Sequence, residues 1–130
     1  MDAKPLDDQD IFGLIGEDGF TRLTAAFYRR IPGDEILGPM YPGGDMAGAE
    51  ERLRDFLIFR FGGPTSYLEK RGHPRLRMRH APFPIGMEAR NRWMEIMTNA
   101  MIETALPNEV NAVLWEFFNG TATFLMNRQA

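Results

Sequence analysis

The sequence predicts a single all-α domain from its length, its residue composition and the spacing of its apolar side chains. The chain has 130 residues, which supply one hydrophobic core and leave no room for a second. Ala, Leu, Met, Glu and Arg are plentiful, whereas Val110 and Val113 are the only valines, and this balance favours helices over strands. Apolar residues recur at three- and four-residue steps in four long stretches, as they do in amphipathic helices.

The N-terminal part of the chain predicts a flexible segment, a short helical lead-in and a first long helix. Residues 1–10 are polar, and we expect them to be a flexible segment ahead of a domain that spans residues 11–130. The apolar cluster that follows predicts a lead-in helix ending at Gly16. Asp18 is placed to cap the next helix, which continues until Pro32 stops it.

Three further helices are predicted downstream. Residues 34–41 have room for only a turn or two of helix. Asp45 is placed to cap the second long helix, which should end before the glycine pair and proline at 62–64. Two more long helical patterns follow Gly86, and residues 105–108 separate them.

Residues 65–85 show no regular pattern and join the second and third helices. Connections in helix bundles usually have roughly 2 to 8 residues, so this stretch is too long for a simple linker. It contains several prolines and both histidines of the chain. A long polar and basic loop within a small domain indicates an element that holds a ligand.

The residue inventory excludes several kinds of chemistry. The chain has no cysteine, which rules out disulfides, thiolate metal sites, iron–sulfur clusters and cysteine nucleophiles. Its single serine, Ser66, lacks the strand–turn–helix context of a catalytic nucleophile. The net charge of −3 argues against nucleic-acid binding, and no apolar run approaches the roughly 20 residues that span a bilayer. We therefore expect a cytoplasmic protein that binds neither nucleic acid nor a membrane.

The irregular stretch contains the residues best suited to hold a cofactor. His80 is followed by Pro82 and Pro84, which restrict the backbone, and one neutral imidazole is enough for an axial ligand to haem iron. A lone histidine is more commonly structural. Five cations lie within ten residues and could clamp the haem propionates or a phosphate, or form a solvated face: Lys70, Arg71, Arg75, Arg77 and Arg79.

Aromatic and apolar side chains form a second set of candidates. Leu53, Phe56 and Leu57 share the inner face of the second helix, where they suit either a flat apolar cofactor or an ordinary core. Tyr28, Tyr41 and Trp93 carry polar tips that need hydrogen-bond partners when buried. Tips that reach solvent or a backbone carbonyl are the commoner alternative.

Together these motifs resemble the truncated haemoglobins, specifically the second group, which has a distal Trp. The resemblance extends over residues 11–126. It is carried by Phe27-Tyr28, Met40-Tyr41-Pro42, the segments 47–54 and 71–83, Gly62-Gly63-Pro64, Tyr67 and Trp93. It implies a truncated globin fold, a two-over-two helical sandwich around haem b (iron protoporphyrin IX).

The resemblance also assigns roles to individual positions. His80 corresponds to the proximal iron ligand. Tyr28, Tyr41 and Trp93 correspond to distal donors that stabilise the bound gas, because Ala49 occupies the position where longer globins keep a distal histidine. The remaining cofactor-binding positions are the pocket residues Ala49, Leu53, Phe56 and Phe83 and the propionate contacts Arg52, Tyr67 and Arg77.

The resemblance implies a protein that binds dioxygen, carbon monoxide and nitric oxide at a pentacoordinate iron. Distal donors should slow oxygen release, which suits nitric oxide or peroxide detoxification with a separate reductase better than rapid oxygen transport. A non-enzymatic oxygen or nitric oxide sensor or store stays open. A haem-free helical module that uses the basic loop as an anion or protein site also stays open, and the chain could be a monomer or a homodimer.

Overall fold

A computed structural model describes residues 6–41, 45–65, 69–70 and 72–128, and the regular structure within these ranges is entirely helical. Four α-helices are long: α1 (Ile11–Arg29), α2 (Met46–Arg60), α4 (Met87–Thr104) and α5 (Asn108–Phe124). A short helix, α3 (Leu76–His80), lies between α2 and α4. Single 3-10 turns form at Asp8–Asp10 and Gly38–Met40. The all-α prediction and the four long helices are confirmed.

Helix α1 contains the interruption predicted at Gly16. This residue has a φ of 66°, a left-handed conformation that glycine adopts without strain, and it produces a kink in the helix. Asp18, expected to cap the following segment, instead accepts a hydrogen bond from Arg22 Nε over 2.9 Å. Beyond the helix, the Asp34 carboxylate accepts from the backbone N–H groups of Ile36 and Leu37, which organises the turn before α2.

The 3-10 turn before α1 is tied to the end of α2. Residues 1–5 of the segment expected to be flexible lie outside the described residues. Gln9 Nε2 donates to the Arg60 carbonyl oxygen over 3.1 Å, and the Arg60 guanidinium pairs with Asp8 over 2.9 Å. The side chain of Leu6 packs against the core. Residues 6–10 therefore contact the helical domain that is predicted to begin at residue 11.

Gly62 makes this close approach of the two segments feasible. Its φ is 97°, and a Cβ atom built there would lie 2.1 Å from the carbonyl oxygen of Gln9. Helix α2 ends at Arg60, before the glycine pair, as predicted. At its other end Asp45 is the N-cap residue, but its side chain makes no capping hydrogen bond and pairs with Arg52 over 3.3 Å.

The stretch 65–85 is not wholly irregular, because it contains helix α3. Arg75 precedes this helix in a left-handed conformation with a φ of 46°. A five-residue helix is too short to show a periodic pattern in the sequence, and the prolines and glycine around it are typical of irregular chain. The helix determines which of the neighbouring side chains face inward.

Helix α1 packs against both α2 and α4, and α4 packs in addition against α5. The contacts between these helices bury Phe20, Phe27, Phe61, Met97 and Leu114 almost completely. Of the described helices, none combines the length and the apolar character that a membrane crossing requires.

Candidate functional site

A cavity of about 360 Å³ lies among α2, α3, α4 and α5, within the size range of pockets for small molecules and cofactors. Its walls are largely aliphatic and aromatic. Nine of the residues that the sequence predicts around a cofactor line this one cavity: Tyr28, Tyr41, Ala49, Arg52, Leu53, Phe56, His80, Phe83 and Trp93. Tyr67, also predicted there, lies outside the described residues.

His80 is the last residue of α3, and its imidazole is oriented by the helix itself. Nδ1 lies 2.7 Å from the carbonyl oxygen of Leu76, one turn earlier. Because a carbonyl oxygen can only accept, we assign the proton to Nδ1, and Nε2 retains its lone pair. A metal-binding histidine is usually held in this way, by a hydrogen bond from the ring nitrogen that does not bind the metal.

Helix α3 separates its arginines onto different faces. Leu76, Arg79 and His80 line the cavity, as residues three and four apart on a helix share a face. Arg77 was expected at the cofactor, but it is absent from the cavity lining. Its guanidinium lies 5.1 Å from the ring centroid of Phe124, in a cation–π contact at the end of α5.

The segment after α3 is fastened to the C-terminal residues. Asn127 Nδ2 donates to the carbonyl oxygens of His80 and Phe83 over 3.3 and 2.8 Å. Its Oδ1 accepts from the N–H of Ile85 over 2.9 Å, and its own N–H donates to the Ile85 carbonyl over 2.9 Å. The backbone that follows the imidazole is therefore fixed by one distant side chain, which the sequence patterns did not indicate.

Three aromatic residues with polar tips, Tyr28, Tyr41 and Trp93, line the cavity together. The rings of Tyr28 and Tyr41 meet edge to face with centroids 5.7 Å apart, and Trp93 packs between Phe27 and Phe118. Burial raises the pKa of Tyr28, and interaction with Tyr41 raises it further. Burial also raises the pKa of Tyr41, against the opposing effect of hydrogen bonds from Tyr28 and Trp93. Both phenols are therefore neutral, and in this arrangement Tyr28 and Trp93 donate their hydrogen bonds to the Tyr41 oxygen.

The donor set of the cavity fits haem better than a bare metal ion. Among the described residues, no cluster of three or more His, Asp or Glu side chains is suitable for a metal ion. One imidazole is too few for an ion bound by protein alone, but it suffices when a porphyrin supplies the other ligands. The apolar walls suit a flat ring, and Arg52 and Arg79 at the cavity suit its carboxylates.

Arg79 and Arg90 line the cavity in addition to Arg52, and of these two only Arg90 was not considered from the sequence as a cofactor contact. Arg79 belongs to the predicted basic run, and only the geometry of α3 distinguishes it from Arg77. Arg90 lies one turn before Trp93 on α4, a spacing that could have indicated its position. Its guanidinium also binds Asn119 and Thr123, so Arg90 joins α4 to α5.

Comparison with known proteins shows the family of this chain. The model of the family described as "Bacterial-like globin" matches residues 10–127. The group 2 truncated hemoglobin YjbI of Bacillus subtilis (strain 168) is 35% identical over 117 residues, which cover 90% of this chain and 88% of that protein. The chain belongs to the group II truncated haemoglobins.

Solved structures of other haemoglobins agree with this assignment. A thermostable hemoglobin from Thermobifida fusca is 47% identical, with 90% of this chain and 96% of that chain covered and a TM-score of 0.86. A truncated oxygen-avid haemoglobin from Bacillus subtilis is 34% identical, with 90% and 98% covered and a TM-score of 0.85. The two-over-two helical fold predicted from the sequence is confirmed. As a truncated haemoglobin, the chain is a haem protein that binds oxygen and similar small gaseous ligands.

Proposed function

We propose that this truncated haemoglobin holds haem b through His80 and binds dioxygen, carbon monoxide and nitric oxide at a pentacoordinate iron, with slow oxygen release. The observation that carries the proposal is that one oriented imidazole and three aromatic donors line the same apolar cavity. The domain that does so is residues 11–130, preceded by the turn that contacts α2.

His80 is the proposed iron ligand because its tautomer and orientation suit the role. The Leu76 carbonyl holds Nδ1, which leaves Nε2 as the nitrogen that can ligate. Haem, when bound, supplies the iron that takes up the gas. His80 would hold this group, the apolar walls of the cavity would enclose it, and Tyr28, Tyr41 and Trp93 would donate hydrogen bonds to the gas.

Tyr28, Tyr41 and Trp93 are the proposed donors to the gas. Donors already aimed at the site where negative charge gathers slow the escape of the ligand. Ala49 brings no polar side chain to the cavity, so this role falls to the phenols and the indole. The raised pKa of both tyrosines keeps their protons in place. The relative from Bacillus subtilis described as oxygen-avid supports slow release.

Arginines are the proposed partners of the haem carboxylates. Arg52 keeps its predicted role, and Tyr67 keeps it as an expectation from the sequence. We assign Arg79 rather than Arg77 to this role, because Arg79 lines the cavity whereas Arg77 packs on Phe124. Charge-assisted hydrogen bonds of this kind position a carboxylate as well as neutralise it.

A long-lived oxygenated protein suits chemistry on the gas, so we propose nitric oxide oxidation to nitrate or peroxide reduction as the physiological role. Both reactions need electrons from a separate reductase. Nitrate produced in many equivalents per haem, with excess reductant and repeated additions of nitric oxide in air, would support an enzyme. Nitrate limited to one equivalent would contradict that role and leave a sensor or store.

Replacement of His80 tests the cofactor assignment directly. We expect the purified wild-type protein to bind one haem and to show an intense Soret band, and His80→Gly to lose most of this affinity. Added imidazole should restore the band, because it can occupy the space left by the side chain. His73→Gly is the matched control, since His73 is exposed and outside the cavity lining. Equal haem affinity in His80→Gly and wild type would contradict the proposal.

A further inference from the structure

The charge of the chain is distributed very unevenly. Residues 61–87 contain five Lys and Arg side chains and a single carboxylate, Glu69, for a net charge of +4. The whole chain carries −3, so the rest of the molecule carries −7. An acidic protein with one basic region orients an acidic partner toward that region through its overall field.

On this basic region and beside it, apolar side chains are exposed next to arginines. Met78 on α3 is 61% exposed and Phe124 at the end of α5 is 55% exposed. The contact between Arg77 and Phe124 brings these two elements together at the surface. Arg128 is exposed four residues after Phe124, and its backbone N–H donates to the Ile85 carbonyl over 3.2 Å. We define the α3 surface as Arg75, Arg77, Met78, Phe124 and Arg128.

The composition of the α3 surface is typical of a transient protein interface. Its five members are exposed, and it combines a small apolar centre with a charged rim. Charged rims of this type increase the rate of encounter and determine orientation more than they increase affinity. The surface fits a partner that associates briefly, delivers something and leaves.

Arg77 and Met78 of the α3 surface lie on the helix that ends at His80. Leu76, Arg79 and His80 face the cavity from this helix, whereas Arg77 and Met78 face away from it. An α-helix with its side chains is about 10 Å across, so a partner docked here would be separated from the proximal imidazole by one helix thickness. A redox partner gains from this proximity.

We propose that the α3 surface docks an acidic one-electron donor protein of the ferredoxin or flavodoxin class, which reduces the ferric haem protein. This inference rests on the proposed function, because only a haem protein would receive the electron there. The donor loses one electron and the ferric iron gains it to become ferrous, with no bond made or broken. An anionic membrane is the less favoured partner, because its plane extends past the basic region and faces the rest of the chain, which carries −7, whereas a compact acidic protein can contact the basic region alone.

Binding to a defined acidic probe tests the proposal without any catalytic readout. The carbon monoxide form of the holoprotein would be titrated with oxidised plant-type [2Fe–2S] ferredoxin by calorimetry at low and high salt. We expect the double variant Arg75→Glu/Arg77→Glu to weaken binding about tenfold or more at low salt and to remove most of the salt dependence. Stopped-flow reduction of the ferric protein by reduced ferredoxin should slow in parallel, whereas reduction by dithionite should not.

The matched control is Arg22→Glu/Arg29→Glu, which changes the net charge equally on α1. Equal weakening by the two double variants would overturn the proposal, because net charge alone would then explain the binding. Unchanged binding in the α3 variant would overturn it too. So would binding to phosphatidylserine/phosphatidylcholine vesicles that depends on Arg75 and Arg77 while ferredoxin binding does not. If ferredoxin binding does not depend on the α3 surface but the Soret band and carbon monoxide binding are normal, the docking proposal fails and the proposed function stands.

Discussion

The side-chain amide of Asn127 donates to the carbonyl oxygen of His80 over 3.3 Å, across 47 positions of sequence. The same side chain binds Phe83 and Ile85, so the backbone around the proposed iron ligand is held from both the helix α3 and the C-terminal residues. The C-terminus thereby becomes part of the support for the haem-binding side of the protein. This contact is open to a direct test.

Asn127→Ala should loosen the segment that follows His80. Hydrogen bonds of this kind each contribute about 0.5–1.5 kcal/mol, so we expect haem transfer to an acceptor globin to accelerate several-fold. The iron–histidine stretching band in the resonance Raman spectrum should shift or broaden, which a general loss of stability would not produce. Asn127→Asp keeps the acceptor for the Ile85 N–H but places a carboxylate oxygen against the carbonyl oxygens of His80 and Phe83, so its effect should be at least as large as that of Asn127→Ala. An unchanged band in Asn127→Ala, matching the surface control Asn99→Ala, would contradict the positioning role.

Removal of a distal donor should speed oxygen release. We expect Tyr28→Phe and Trp93→Phe each to raise the oxygen dissociation rate constant about tenfold, as the loss of one hydrogen bond to a partly charged acceptor predicts. Displacement of oxygen by carbon monoxide in a stopped-flow instrument measures this rate. Trp115→Phe is the matched control because Trp115 is exposed on α5. Unchanged rates in both distal variants would show that the donors do not hold the gas.

Oxygen release should be insensitive to pH from neutrality to about pH 10, the ordinary pKa of tyrosine. The pKa values of Tyr28 and Tyr41 are raised, first by burial, so both phenols keep their protons in the folded protein over this range. The prediction would be contradicted if the release rate of wild type, but not of Tyr28→Phe, rose between about pH 8 and 9, which is well below the ordinary pKa of tyrosine.

The same shift predicts a loss of stability at alkaline pH. The stabilisation linked to the neutral phenols is fully present below about pH 10, where they are protonated in both the folded and unfolded states. Above that pH the unfolded chain ionises first, and the contribution is lost as the pH rises toward the folded pKa. The midpoint of thermal unfolding should therefore fall less steeply above pH 10 in Tyr28→Phe than in wild type. Equal slopes would refute the buried, neutral state of this phenol.

Gly62→Ala should destabilise the fold through a steric clash in addition to backbone strain. The substitution puts a Cβ atom at a φ of 97° and 2.1 Å from the Gln9 carbonyl oxygen, so we expect a loss of about 2 kcal/mol or more in the free energy of unfolding. Gly72→Ala separates the two effects, because its φ is 72° but no atom lies within 4 Å of the added Cβ, and it should cost about 1 kcal/mol. Equal losses, measured by urea unfolding of the carbon monoxide form, would show that the clash is relieved.

The sequence predicted those features that depend on local chemistry. Gly16 broke the helix where expected, and the spacing of Leu53, Phe56 and Leu57 placed one face of α2 on the cavity, because glycine conformations and helical periodicity are properties of a few neighbouring residues. Arg79 could not be distinguished from Arg77, since the choice depends on a five-residue helix surrounded by irregular chain.

Contacts between residues far apart in the chain could not be predicted from sequence patterns. Asn127 contacts a segment more than forty positions away, and nothing in its neighbours indicates this. The prediction that the Asp18 and Asp45 side chains cap helices was wrong, because each carboxylate pairs with an arginine of the helix that contains it or follows it. A capping carboxylate and a salt-bridged one look alike in a sequence, because the competing partner is determined by side-chain geometry.

The contact of the Asp8–Asp10 turn with α2 changes where a shortened or fused version of the protein should start. Hydrophobic patterning alone would place the first residue at Ile11, and a chimera joined there would lack the Gln9 and Asp8 side chains that engage Arg60. The Arg60 guanidinium lies 5.0 and 4.8 Å from the ring centroids of Phe61 and Phe117, and Phe117 is itself a wall of the cofactor cavity. An engineered fusion should therefore retain the chain from Leu6 onward, or the cavity wall loses its outer support.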